Sequence, residues 1–451
     1  MSEAQANSAR PFYDSRRLFR RSDLQEIGRD VARRAGAILR DRDVMRGYAH
    51  LLGGSAARVV LSLIYFVALT SALKIAEFGF FATSAAVGLV LARLAAFGYG
   101  ANLFIVAATR PRLIGTYLGN YVVWLVLSLP FCLLAALAVH WAFFDDVGKL
   151  VPYLTIVAVE VVVWRLLDVV AAINSGVGRF GHAAATYNLG FLARTLAALF
   201  YLLFGDHSIS QWAAGYAIAN ISAFVLAVIF LMPPLRFRLR RGALLLRFRN
   251  GLELGSAHLV SMAQGESDKV LILSFGGELA AGIFATCTRL IDITALPVRA
   301  FNIMMIQKVL RDPNAMRGRR GLVLTEIGIA LLSTGAFCAI AFALWLKPTI
   351  LGHEIAKAAP YLPMLFLLPA FRNLIEYQAE LLYARQRRTS LLLISLVLII
   401  VKAALMTLIF NSLRMEQNWA LAMNLVFGAA YLCTSIGTYC FDKGPPERAE
   451  R

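Results

Sequence analysis

Arginine is the side chain that apolar surroundings tolerate least, and this 451-residue chain places it repeatedly in long apolar runs. Arg58, Arg93, Arg165, Arg289 and Arg372 all lie in such stretches, as does His258. A charge at depth in a hydrocarbon layer costs about 2.5–3.5 kcal/mol on insertion scales, so it faces a partner, a cavity or water. The guanidinium fork matches phosphate or carboxylate oxygens in two-point contact, which makes an anionic ligand the chemistry these residues could serve. Arg93, in "GLVLARLAAFGYG", has no acid within one helical turn; at 1.5 Å per residue it sits about 20 Å down its helix.

Carboxylates accompany the arginines. Arg165 and Asp168, Arg289 and Asp292, and Arg372 and Glu376 lie three or four residues apart, so each pair shares a helix face and can neutralise itself. Arg58, Arg194, Arg299 and Lys402 can instead reach toward a membrane interface along their own apolar stems. The most polar run is "GLELGSAHLVSMAQGESDKVLILSF", in which His258, Ser261, Gly265 and Asp268 recur at helical spacing, flanked by Glu266 and Lys269. Such a stripe faces a cavity or a polar seam between helices. Asp268, Glu266, Asp168 and Asp292 are the candidates for a coupling ion or proton.

These residues need elements to hold them. Hydrophobic residues make up 59% of the chain and charged residues 16%, well below the share in soluble domains. An all-α polytopic membrane protein is the class that uses such a composition. Runs of about 20 apolar residues fall at 51–73, 78–106, 113–140, 150–173, 183–204, 211–232, 252–274, 279–307, 322–346, 359–383, 389–410 and 418–440, which predicts twelve spans. Alternate loops differ in charge. "TRPR", "VGRFG", "PPLRFRLRRGALLLRFRN", "KVLRDPNAMRGRRG", "ARQRR" and the tail "DKGPPERAER" are arginine-rich, whereas "SALKIAEF", "FFDDVGKL", "FGDHSIS", "SFGGE", "KPTILGHEIAK" and "NSLRMEQN" carry acids and few cations. The positive-inside rule then puts both termini in the cytoplasm. The expected organisation is a cytoplasmic arm with eleven arginines (1–48), a first six-helix half (49–232), a basic linker (233–250), a second half (251–441) and a cytoplasmic tail (442–451).

The halves share a signature. "GFFAT" at 79–83 returns as "GIFAT" at 282–286, an offset of 203 residues, each opening a span on the same side. Arg165/Asp168 and Arg372/Glu376 recur at a similar offset. Six helices per half make the repeats parallel, related by an axis along the membrane normal, around a central cavity.

No HExxH, GxSxG, Walker A or CxxC pattern occurs, so no enzyme chemistry, cofactor or metal is expected. The five cysteines read as small core residues and the net charge of +18, scattered in short loops, does not point to nucleic acid.

The segment "GLELGSAHLVSMAQGESDKVLILSFGGELAAGIFATCTRLIDITALPVRAFNIMMIQKVLRD" resembles helices seven and eight of the bacterial polysaccharide flippases. That family belongs to the superfamily that also holds the multidrug and toxic-compound extrusion transporters. The likeness rests on the Asp268–Lys269 pair, the "LILS" run, the Gly282–Ala285 pattern and Leu296–Pro297. It is repeated in "AEFGFFA" and extends to "LYARQRRTSLLL", covering most of 53–410. The arginine-rich arm and the polarity of helix seven depart from the family. The resemblance implies an inner-membrane flippase moving undecaprenyl-pyrophosphate-linked oligosaccharide to the outer leaflet for O-antigen, capsule or exopolysaccharide synthesis. A proton or sodium gradient would drive it, and a polymerase or glycosyltransferase would be its partner. Arg93, Arg165, Arg289, Arg372, Arg58 and His258 would then contact pyrophosphate or sugar. A cation-coupled multidrug antiporter and a non-transporting scaffold of a polysaccharide assembly complex stand as the alternatives.

Overall fold

The structure, a computed structural model, describes residues 42–144, 146–206, 208–235, 237–239, 248–311, 319–385, 387–412 and 419–441. The arginine-rich arm before residue 42, half of the basic linker (236 and 240–247) and the tail from 442 lie outside the described residues.

Twelve helices follow one another among the described residues. The first half holds α1 (Arg42–Ala72), α2 (Ile75–Leu94 and, past a break, Gly100–Thr109) and α3 (Ile114–Phe143). It continues with α4 (Leu150–Ala158 and Arg165–Gly176, joined by a π-helical turn at Val159–Trp164), α5 (Phe180–Phe204) and α6 (Ile209–Phe230). In the second half, the helical stretch Phe248–Arg311 bends sharply at Gly277 (φ 67°), a left-handed conformation open to glycine. It divides there into α7 (248–276) and α8 (278–311), because its apolar part, His258–Arg299, is 42 residues long and about twice what a bilayer core accommodates. Then come α9 (Arg319–Leu346), α10 (Leu368–Ala384), α11 (Arg388–Ser412) and α12 (Trp419–Phe441). The chain is an all-α polytopic membrane protein with two six-helix halves.

Burial separates the central helices from the lipid-facing ones. In its most apolar stretch the α2 span is 61% buried and the α7–α8 span 56%, against 22% for α3 and α5. Phe131, Leu134, Phe200 and Phe204 are exposed accordingly, as apolar side chains facing hydrocarbon should be.

Two predicted spans prove irregular, and proline and glycine explain both. Before α10 the chain passes through short turns at His353–Ala356, Ala359–Tyr361 and Pro363–Leu365, with a 49° bend. Pro360, Pro363 and Pro369 remove backbone donors there. Asn424 of α12 answers the exposed backbone, accepting from Leu367 N at 3.2 Å and donating to the Met364 carbonyl. In α2 the break at Ala95–Gly98 puts Ala96 (φ 54°) and Phe97 (φ 47°) in the left-handed region, which non-glycine residues occupy at a cost of about 1–2 kcal/mol each. Ser128 of α3 accepts from Ala96 N at 2.8 Å, and Phe97 packs edge-on against Trp124 and Phe131.

The repeat lies at the seam between the halves. A Cβ on Gly79 would meet the carbonyl oxygen of Glu278 at 2.2 Å, and one on Gly282 would meet the carbonyl oxygen of Ile75 at 1.9 Å. Residues 75 and 278, like 79 and 282, stand 203 apart in sequence. Equivalent positions therefore touch reciprocally, as they do across a two-fold axis. Polar contacts repeat the pattern: Glu278 accepts from Lys149 of the first half, and Glu354 of the second accepts from Ile75 N at 2.8 Å. All four contacts lie at the bundle end bearing the arginine-poor loops, so the halves are closed against each other there. The pentapeptide marks this seam between the halves.

Candidate functional site

Arg93 closes the last turn of the first α2 segment, immediately before the break. The break redirects the chain so that Gly98, Gly100 and Phe104 join Arg93 in lining one cavity of about 370 Å³. Arg165, Asp168, Val169, Ala172 and Ser175 line it from α4, Tyr187 from α5, and Gly255 and His258 from the start of α7. Each of these positions falls in the half of its helix nearer the arginine-rich loops, the end opposite the closed seam.

Small residues make the room. A Cβ on Gly100 would come within 3.2 Å of the Arg165 guanidinium, and one on Gly255 within 2.7 Å of Gly98 Cα. The α7 backbone thus rests directly on the α2 break and brings His258 to a cavity otherwise built by the first half.

Positive charge outweighs negative in the lining. Arg165 Nη1 lies 3.4 Å from Asp168 Oδ2, which confirms that intrahelical pair. Arg93 forms no ion pair among the described residues, and the Nε donors of Arg93 and Arg165 are buried without an acceptor. An unsatisfied buried donor costs about 1–3 kcal/mol and more where the group is charged, so oxygen acceptors of a ligand are what this lining lacks. Arg58 stands next to the cavity with its guanidinium over the Tyr187 ring, 5.5 Å from the centroid. Among the described residues no group of three or more His, Cys, Asp or Glu side chains is placed to hold a metal ion.

The remaining candidates lie elsewhere, and several have partners that the sequence did not indicate. Asp292 meets Arg372 of α10 at 3.5 Å and Arg299 at 3.9 Å, while Arg299 Nε donates to Glu376 at 3.0 Å. The expected Arg289–Asp292 and Arg372–Glu376 pairs are therefore replaced by a crossed network joining α8 to α10. Arg299 and Arg372 belong to that network and are absent from the cavity lining. Arg289 is left exposed, close enough to Tyr65 of α1 and to Asp292 for electrostatic interaction.

Lys402, expected to reach toward an interface, is 1% exposed and donates to Asp268 at 2.7 Å and to the Gln264 carbonyl at 2.7 Å. Lys269 turns from its neighbour Asp268 to Glu266. Both carboxylates of α7 named for coupling are thus neutralised by lysine. Arg194 is likewise buried: its Nη2 lies 3.0 Å from Glu160, its Nε donates to Asn220 at 2.8 Å, and it stacks on Trp164 at 3.9 Å. Tyr216 also donates to Glu160.

Neither a family model nor a curated protein matches the sequence. Solved structures do match. The chain aligns with an inward-facing structure of a multidrug resistance MATE family transporter of the MOP superfamily at a TM-score of 0.65 and 14% identity, over 85% of this chain and 93% of that one. An outward-facing structure of a MATE family transporter of the MOP superfamily gives 0.51 at 14% identity, over 89% and 97%. A MOP superfamily transporter from Pyrococcus furiosus, described by a binding pocket of reversed polarity that suggests a different function, gives 0.53 at 12% identity, over 89% and 96%. At these identities the likeness is one of architecture, and the fold of this chain is that of the MOP superfamily transporters.

Proposed function

We propose that the chain is an alternating-access transporter of an anionic, lipid-linked substrate: a flippase for undecaprenyl-pyrophosphate-linked oligosaccharide, serving surface polysaccharide assembly in the bacterial inner membrane. The observation that carries this reading is the cavity in which Arg93 and Arg165 present buried, unpartnered Nε donors beside His258 against a single carboxylate, Asp168. Two guanidinium groups can hold the two phosphates of a pyrophosphate. With the arginine-rich loops taken as cytoplasmic, the seam at the other end closes the outer side, and the cavity lies in the inner half, where a cytoplasmic head group would enter.

Multidrug efflux is the second reading, favoured by the fold shared with multidrug MATE transporters. Pocket polarity separates the two, since organic cations call for a lining with net negative charge. The Pyrococcus furiosus protein, whose reversed polarity suggests a function different from that of its relatives, illustrates that the fold carries either sign.

The test is the pool of lipid-linked oligosaccharide in cells depleted of the protein, with wild type or Arg93→Ala supplied at equal expression. Accumulated intermediate and lost surface polymer, rescued by wild type and at least tenfold less well by the variant, are expected. An unchanged pool with altered drug sensitivity would overturn the flippase in favour of efflux.

A further inference from the structure

Three carboxylates are buried among the described residues: Glu160, Asp268 and Glu326. Arg194 faces the first and Lys402 the second. Glu326, about 10 Å into α9 at 1.5 Å per residue, has only neutral partners. Its Oε1 accepts from Gln378 Nε2 at 2.8 Å and from the Tyr439 hydroxyl at 2.7 Å, and its Oε2 accepts from the Tyr431 hydroxyl at 2.9 Å. Gln378 Nε2 also reaches Ser435 Oγ at 2.8 Å. Around this cage, Gln378 Oε1, the Tyr377 hydroxyl and Thr438 Oγ1 are buried oxygens without a hydrogen-bond partner.

A carboxylate taken out of water without a counter-charge is expensive to keep ionised, and neutralisation is the ordinary escape. What distinguishes the three sites is the counter-charge: Glu160 and Asp268 each touch a cation, Arg194 and Lys402, whereas Glu326 touches neutral groups. Tyrosine hydroxyls both donate and accept, so either can turn to receive a proton from Glu326 while the other keeps donating. The cage therefore suits both the ionised and the neutral acid.

The groups facing it support the same conclusion. From α10 come Tyr377 and Gln378, with Arg385, at that helix's end, interacting with Tyr377; α12 contributes Tyr431, Tyr439 and Ser435. From α8 come the apolar Val298, Phe301 and Met305. Glu376 is already engaged by Arg299.

We propose that Glu326, caged by Gln378, Tyr431 and Tyr439, is a proton-carrying site of the second half, separate from the arginine-lined cavity of the first. This rests on the transporter reading only for the use made of the proton, as the coupling ion. The cage draws on three helices, so a proton moving on or off Glu326 changes how α9, α10 and α12 are tied together. Asp268 and Glu266, each held by a lysine, give up the coupling role in this assignment.

The test reads the proton directly and needs no substrate. The full-length protein in lipid nanodiscs is titrated in sodium-free buffer, and the carbonyl stretch of carboxylic acids is followed by infrared difference spectroscopy. A pH-dependent acid band absent in Glu326→Gln, with a midpoint displaced in Tyr439→Phe, is the expected result. The same band in Glu326→Gln as in wild type would overturn the site. If Glu326→Gln does not fold, a midpoint unmoved in both Tyr431→Phe and Tyr439→Phe would do so. Ionisation at every pH, with sodium raising thermal stability in wild type but not in Glu326→Gln, would overturn the proton in favour of a metal cation. Loss of the flippase reading leaves the acid band untouched, so the two failures are distinguishable.

Discussion

At the scale of single residues, the buried charges divide by what their partners can do. Asp268 and Lys402 are held at 2.7 Å in a site where lysine is 1% exposed. Removing one member of such a pair strands the other in low dielectric, at a cost of about 3–5 kcal/mol, whereas replacing both with apolar groups is often neutral. Lys402→Met is therefore expected to destabilise the detergent-solubilised protein by that amount, and Asp268→Leu with Lys402→Met to recover most of it, by thermal or denaturant unfolding. Equal loss in single and double variants would mean that the pair itself holds the helices. These partnerships were largely illegible in the sequence. Spacing along one helix shows that Arg165 can reach Asp168, and it does. It cannot show that Arg372 bypasses Glu376 for Asp292 on another helix, because that choice depends on depth and rotation of two helices together. Glu326 was missed as a site for the same reason: its partners are tyrosines and a glutamine on α10 and α12, residue types that announce nothing alone.

At the scale of elements, hydropathy located the twelve helices, since a bilayer imposes length and composition on every span. The interruptions were signalled only by residue type. "AAFGYG" with two glycines marks the α2 break, and the three prolines before α10 mark its bent entry. The α2 break matters because it turns Gly100 toward Arg165 beside Arg93, so the site is built on an irregularity that a span count passes over. The regular part of α2 is constrained differently, by its glycine against α8. Gly282→Ala would drive a Cβ to 1.9 Å from the Ile75 carbonyl, a backbone atom that cannot rotate away. The helices must then separate, at about 1–3 kcal/mol as overpacked sites go. A lowered melting temperature is expected, and an unchanged one would show that the seam has slack.

At the scale of the whole molecule, the seam gives the conformation. Gly79 against Gly282, Lys149 with Glu278 and Ile75 with Glu354 close one end. Thr83 lies one turn below Gly79 on the same helix face and is 1% exposed. In a cysteine-free protein carrying Thr83→Cys, a membrane-impermeant thiol reagent should label slowly. Adding Glu278→Lys sets like charge against Lys149, and labelling should rise severalfold. No change would mean that the ion pair contributes nothing to closure.

The material of that seam has a bearing on speed. Where Gly79 and Gly282 meet, the helices touch through peptide backbone, with no long side chains to freeze on closing, while Lys149 and Glu278 are the charged side chains held at the same seam. Conformational entropy is one of the usual tolls on bringing two surfaces together, and the glycine contact keeps it small where the helices come closest. A seam faced with glycine backbone can therefore part and close without repacking long side chains at its tightest point.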